Sequence, residues 1–490
     1  MNAEVPAMPS IIQGGMGVAI SDWRLAAAVA RTGQMGVVSG TAIDVVCARR
    51  LQMGDPGGHM RRALAHFPVP GVAERVVDTY FVPGGKAPGT PFRPVLRYSL
   101  RPGRALRELT IAANFAEVYL AKEGHGGLVG VNYLHKIEMP IPFACYGAML
   151  AGVDCILMGA GNPAEIPAML DALALRRPVA LPVRVQGATS AHGDHLVEFD
   201  PADVTPADGS APRRPRFHAI VASVGLAEAL AGDPRTRPDG FVVEGAPAGG
   251  HNAPPRGPRR LDPDGQPVYD ERDVVSPLEM AQVGPPYWMA GSYGTPEGLA
   301  RALAGGAAGV QVGTAFAFCD ESGMAEEHKQ GVLDRVSRGE ERVRTDPRVS
   351  PTGFPFKVVE LDGTLSEEAV YEDRPRLCDL GALRAAYMRP DGAVGYRCPA
   401  EPVAVYEDRR GGRRQNTVER RCLCNALLAT AGLGQHRADG YAEPAIVTAG
   451  TDFTAVRHLM RRRGDGGYGY TAADVVAYLL GRTPATSRTS

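Results

Sequence analysis

His251 is the residue best placed to do chemistry. It closes the run Gly245-Ala246-Pro247-Ala248-Gly249-Gly250-His251, so an imidazole is delivered on a loop where Gly249 and Gly250 let a ligand pack against bare backbone. With an ordinary pKa near ~6.5, an imidazole takes or gives a proton at neutral pH. That suits removal of an acidic C–H or protonation of an enolate-like carbon. A lone histidine is more often structural, and His59, His125, His135, His192, His195, His218 and His436 lack such a loop and are read that way.

Four shorter motifs could hold a ligand beside it. In Gln13-Gly14-Gly15-Met16-Gly17 the glycines allow backbone to approach a flat ring while the Gln13 amide reaches its polar edge; the plain alternative is a strand-to-helix turn. Asn132 ends the apolar run Leu128-Val129-Gly130-Val131, where an amide both donates and accepts. Tyr287-Trp288-Met289-Ala290-Gly291-Ser292-Tyr293-Gly294 and Gly309-Val310-Gln311-Val312-Gly313-Thr314 read as two neighbouring strands with glycine ends, the first followed by a helix start. Bare N–H groups at two such adjacent strand ends, one aimed by a helix N-terminus, can form a phosphate site. Separately, Cys378, Cys398, Cys422 and Cys424 are four of the eight cysteines, and four thiolates can close a zinc site or hold an iron–sulfur cluster. Their spacing is unlike paired CxxC motifs, so plain reduced cysteines are the competing reading.

The elements that must position these residues alternate β-branched runs with Ala/Leu-rich segments, the pattern of a parallel sheet with crossover helices. Candidate strands are 10–13, 35–38, 128–132, 154–158, 180–185, 218–222, 240–244, 287–290 and 309–312, one more than the eight of a closed α/β barrel. The surplus is 180–185, which leads into polar sequence and reads as an inserted hairpin. The chemistry-bearing residues all follow strands, and in such barrels the C-terminal strand ends carry the site. Ser21 is expected to cap the first helix and Thr295-Pro296 to open a later one.

The expected fold class is therefore α/β, a TIM-type (β/α)8 barrel over residues 1–320 with a long helical insertion at about 41–126 and a second insertion at 252–286. Residues 321–490 form an additional C-terminal α-rich region carrying the four cysteines, and 346–353 either folds back over the barrel mouth or links. A net charge of −1 offers no field for nucleic acid or an anionic membrane. With no basic leader and no apolar run of ~18 residues, a cytoplasmic protein is expected, one that holds its cysteines reduced or binds something with them. A homodimer is expected only from the habit of large barrels.

Taken in order, Ile11-Ile12-Gln13-Gly14-Gly15-Met16-Gly17, Gly130-Val131-Asn132, Ala248-Gly249-Gly250-His251, Ala290-Gly291 and the run from Gly309 to Thr314 resemble the nitronate monooxygenase (2-nitropropane dioxygenase-like) family. That family includes FMN-dependent, trans-acting enoyl reductases. The resemblance implies non-covalent FMN, with Gln13, Gly14, Gly15 and Asn132 facing its ring, Gly291, Ser292, Gly313 and Thr314 on its phosphate, and His251 as the catalytic histidine. Two departures stand out: Pro247 where the family often has Glu, and Ser292 where it has Gly. The implied activities are oxidation of a nitronate or related carbanion with dioxygen, or reduction of an enoyl (acyl-carrier-protein) substrate with NAD(P)H. A flavin-binding subunit without turnover is the third reading.

Overall fold

The computed structural model describes residues 8–205 and 210–482, and eight short parallel strands follow the alternation read from the sequence. They are β1 (Ile11–Gln13), β2 (Gly36–Ser39), β3 (Val129–Leu134), β4 (Cys155–Gly159), β5 (Arg216–Val221), β6 (Gly240–Glu244), β7 (Tyr287–Ala290) and β8 (Gly309–Val312). They pair in the order β1-β8-β7-β6-β5-β4-β3-β2. A parallel bridge from Ile12 to Met35 joins the two ends, so the sheet closes into a barrel. The ninth candidate lies outside it: Val179–Pro182 pairs antiparallel with Leu196–Phe199 as an inserted hairpin.

Each strand buries alternate residues on opposite faces, as the pleat requires. Ile12, Val37, Leu157, Val242, Trp288 and Ala290 point inward and fill the barrel. Their neighbours Ile11, Val38, Val129, Val131, Phe217, Val243, Val310 and Val312 face the helical layer. That layer comprises α1 (Trp23–Ala30), α2 (Arg104–Lys122), α3 (Ile141–Leu150), α4 (Ile166–Ala174), α5 (Val224–Gly232), α6 (Pro277–Val283), α7 (Pro296–Ala304) and α8 (Ala472–Leu479). The last of these comes from the far C-terminal region and packs against both α1 and α7, the place of the eighth barrel helix.

Caps fix where these helices begin. Thr295 accepts from the Gly298 amide at 3.0 Å with Pro296 in the first turn, as expected for α7. For α1 the cap is Asp22, which accepts from the Arg24 amide at 2.9 Å, and not Ser21. The Ser21 hydroxyl is drawn away because it donates to the Gly14 carbonyl at 2.9 Å and accepts from the Met16 amide at 2.8 Å, tying down the first glycine loop.

Between β2 and α2 the insertion carries the helices Ile43–Gln52, His59–Leu64 and Val72–Tyr80. The second excursion is irregular as far as α6, which is itself a barrel helix. Beyond β8 come the helix Glu326–Arg338, a hairpin of β9 (Val343–Asp346) and β10 (Phe356–Val359), a second hairpin of Ala385–Met388 with Val394–Arg397, and the helices Leu423–Thr430 and Thr454–Leu459. No helix among the described residues is long and apolar enough to cross a membrane.

Candidate active site

A cavity of about 270 Å³ opens at the C-terminal ends of the barrel strands. It is lined by Gly14, Gly15, Asn132, Gly249, Gly250, His251, Gly291, Ser292, Gln311, Gly313 and Thr314, so all but one of the barrel residues singled out in the sequence meet in one place. The C-terminal region roofs it with Ala382, Leu383, Leu423, Cys424 and Leu427.

Gln13 is the exception. Because Ile12 points into the barrel, the next side chain points away from the axis. Its Oε1 accepts from the Val37 amide at 2.9 Å, and its Nε2 donates to Ser21 Oγ at 2.9 Å and to the Gly14 carbonyl. The amide is thus spent inside the wall, where it holds the glycine loop in place, and it does not reach a ring edge in the cavity.

The same alternation turns Asn132 and Gln311 inward, since Val131, Val310 and Val312 face the helices. Each side chain is half-buried with one buried atom unmatched: among the described residues, Asn132 Oδ1 and Gln311 Nε2 have no hydrogen-bond partner. A buried acceptor and a buried donor left open on the cavity wall cost free energy unless a ligand pairs them. A flat heterocycle with donors and acceptors along its edge, such as the flavin ring, fits that pair.

Where the phosphate is expected, Gly291 has φ +88° and Ser292 φ +60°, left-handed backbone that turns successive N–H groups to one side. Thr314 Oγ1 accepts from the Gly450 amide at 2.9 Å, which ties the end of β8 to the C-terminal region. That same region braces the histidine loop, as the Gly250 amide donates to Thr448 Oγ1 at 2.9 Å. Gly249 must be glycine for this contact: a Cβ there would stand 2.8 Å from backbone atoms of Ala449 and Gly450.

His251 is held from the other side by β10. The Lys357 amide donates to the Gly250 carbonyl and the Asn252 amide to the Pro355 carbonyl, both at 2.9 Å, so the loop adds itself to the hairpin as a short antiparallel strand. The imidazole packs edge-on against Phe356, with ring centroids 4.9 Å apart. Its Nε2 lies 2.6 Å from the hydroxyl of Ser350, which is itself fixed by Thr352. The stretch 346–353 therefore folds back over the barrel mouth. Burial, reinforced by the charge of Lys136, pushes the imidazole down to about 3, and it is neutral at neutral pH.

Three charged residues that sequence reading passed over surround it. Glu244, the last residue of β6, lines the cavity, and burial pushes its carboxyl up to about 7 against the pull of Lys136 and Lys357. Burial brings Lys136 down to about 7 and Lys357 to about 8, with Glu244 opposing each. The signal for Glu244 was the strand parity that selects Asn132 and Gln311. For Lys136 and Lys357 there was none.

The four C-terminal cysteines lie near one another, close enough that the charges of Cys378, Cys422 and Cys424 act on Cys398. Cys398 and Cys422 are buried in a small cluster with Ala400, Cys424 faces the cavity, and Cys378 is half-buried. Among the described residues, no group of three or more His, Cys, Asp or Glu side chains is arranged to hold a metal ion. Burial raises the thiols, Cys422 to about 12.

No curated protein gives a significant match to the sequence. Among solved structures, the chain is similar to FabK from Thermotoga maritima, with 15% identity, 97% of this chain and 92% of that one covered, and a TM-score of 0.47. Nitroalkane oxidase from Streptomyces ansochromogenes gives 16% identity, 97% and 95% coverage and a TM-score of 0.44. The enoyl reductase domain of MlnA from the macrolactin biosynthesis cluster of Bacillus amyloliquefaciens gives 12%, with 75% and 68% covered and a TM-score of 0.37. Residues 217–343, from β5 through β8 to the start of β9, match the family model described as nitronate monooxygenase.

Proposed function

We propose that this FMN-dependent oxidoreductase reduces the activated carbon–carbon double bond of an extended acyl substrate with electrons from NAD(P)H. The observation that carries this reading is a second chamber of about 60 Å³ beside the first, walled mainly by apolar side chains such as Val45, Val95, Ile141, Ala144 and Leu380, with Asp44, Thr110 and Asn114 also on its wall. It shares Thr41, Ala42, Tyr133, Leu134, Ile137 and Ala382 with the main cavity, so the two adjoin behind those residues. Such a chamber takes a hydrocarbon tail, which gains ~0.8 kcal/mol per buried CH₂; a small nitronate would leave it empty.

FMN, when bound, supplies hydride transfer. The protein supplies the rest: Asn132 and Gln311 would hold the ring edge, Gly291, Ser292, Gly313 and Thr314 the phosphate, and Gly14 and Gly15 would leave room for the ring against bare backbone. His251, uncharged and pinned through Nε2, presents Nδ1 to the substrate as a hydrogen-bonding group that orients and polarises its carbonyl. Oxidation of a nitronate with dioxygen is the second reading; the nitronate arrives already deprotonated, and the neutral imidazole would serve it as a hydrogen-bonding group.

Visible spectroscopy separates them. Flavin bands bleached by anaerobic NADPH and restored by a medium-chain 2-enoyl thioester support the reductase. Bleaching by a nitronate, with no response to NADPH, reverses the assignment.

A further inference from the structure

We propose that Glu244 is a second acid–base residue of this site, the group that exchanges a proton with the substrate carbon, and that Lys136 is the positioning cation that receives the charge left on it. This rests on reading the cavity as the substrate site and deepens the reaction assigned above.

The geometry comes first. Glu244 ends β6 on the inward face, one position after the outward Val243, and its carboxyl lines the same cavity as His251. Among the described residues no cation forms a salt bridge with it and no donor bonds its oxygens, so the carboxyl is uncommitted. Lys136, in the loop after β3, is equally uncommitted: its Nζ is buried without a hydrogen-bond partner and rests 3.0 Å from the centroid of the Phe354 ring. The other charged or titratable groups around Glu244 are Lys357 on β10, whose Nζ donates to Thr345, Tyr269 in the excursion before α6, and His251 itself.

Chemistry then divides the roles. His251 stays neutral over the physiological range and has no imidazolium proton to give. Glu244 and Lys136 both change charge near neutrality, where proton exchange is fastest in both directions. In the reduction, the carbon next to the thioester carbonyl carries an electron pair after hydride addition at its neighbour. The Glu244 O–H bond breaks, a C–H bond forms on that carbon, and the O–H electron pair remains on the carboxylate beside Lys136. Solvent returns the proton between turnovers.

The test uses the holoenzyme and the variants E244Q, E244D and K136M. A protonated-carboxyl infrared band that titrates near pH 7 in the wild type and is missing in E244Q is expected, as is a loss of enoyl-thioester turnover by E244Q of roughly 100- to 10,000-fold. Wild-type turnover falls as the pH rises past the carboxyl pKa. E244Q loses that limb, E244D keeps it with part of the rate, and K136M moves it to higher pH, since removing the cation disfavours the carboxylate. An E244Q enzyme within about threefold of wild type that keeps the limb overturns the proposal, and so does a carboxyl that titrates in the ordinary glutamate range. If the wild type turns over no enoyl thioester, the reductase reading fails, while the infrared titration still decides the state of Glu244.

Discussion

Two histidines of this barrel are held uncharged, His218 fully buried and His251 half-buried, and one of them stands at the cavity. His218 lies on β5 facing the interior, opposite the first residue of β6, stacked on Trp288 with ring centroids 4.7 Å apart. Both its ring nitrogens lack a partner, and burial brings it down to about 4. His251 is pushed lower still, yet it sits past the end of β6 with a hydroxyl on one nitrogen and a cavity before it. Desolvation alone therefore does not mark a catalytic imidazole. The distinction is the end of the barrel and a second group that fixes the ring.

The comparison breaks most sharply by mutation. His251→Asn is expected to lower turnover roughly 100- to 1,000-fold, the cost of removing one donor at a developing oxyanion, with flavin still bound. His218→Phe should leave turnover within about twofold, because an apolar replacement of an unpartnered group is nearly neutral. Steady-state kinetics on the two variants decides this.

Acid unfolding separates the same pair by stability. A histidine whose folded pKa is depressed binds its proton more readily unfolded, so stability falls as pH drops below the unfolded value of ~6.5 and levels off below the folded one. For His218, depressed to about 4, the loss over that window is roughly 3 kcal/mol. Urea melts at neutral and acidic pH should show it in the wild type and a smaller loss in His218→Phe.

Smaller effects sharpen the argument. Ser350→Ala removes the anchor of His251 Nε2 and leaves a buried ring nitrogen unpaired, at a cost of about 1–3 kcal/mol in thermal stability and with slower turnover. Ser292→Gly relieves a left-handed serine and should stabilise the flavin-free protein by about 1 kcal/mol, while weakening FMN binding if the hydroxyl donates to the phosphate. Differential scanning calorimetry and FMN titration read both.

Much of the barrel was legible because its signals are local. The β-branched runs fell where the strands are, and 180–185 was rightly set aside because its polar continuation suits an exposed hairpin. The glycine ends and His251 were legible because a strand-end position follows directly from chain order. Gln13 was misassigned because residue type was weighed without side-chain parity: one step after the inward Ile12, it must face the helices. Ser21 was taken for a cap because Asp22, the next residue, competes for that role and wins when Ser21 is claimed by the first loop. Ser350, Lys357 and Thr448 were not legible, since each reaches the His251 loop from a distant part of the chain and only the folded topology brings them there. The four cysteines do come near one another, yet among the described residues no group of three or more His, Cys, Asp or Glu side chains is arranged to hold a metal ion.

The eighth helix gives the protein an order of assembly. β8 ends at Val312, but α8, which packs between α1 and α7, begins only at Ala472. During synthesis the strands and seven helices emerge well before the piece that seals α1 against α7, and the intervening chain supplies Ser350, Lys357 and Thr448 to the site. A ribosome-bound chain that stops before α8 therefore carries a barrel with an apolar seam still open to water. Sealing of the helical layer therefore waits for α8, the last helix among the described residues, which is made after the segments that carry Ser350, Lys357 and Thr448.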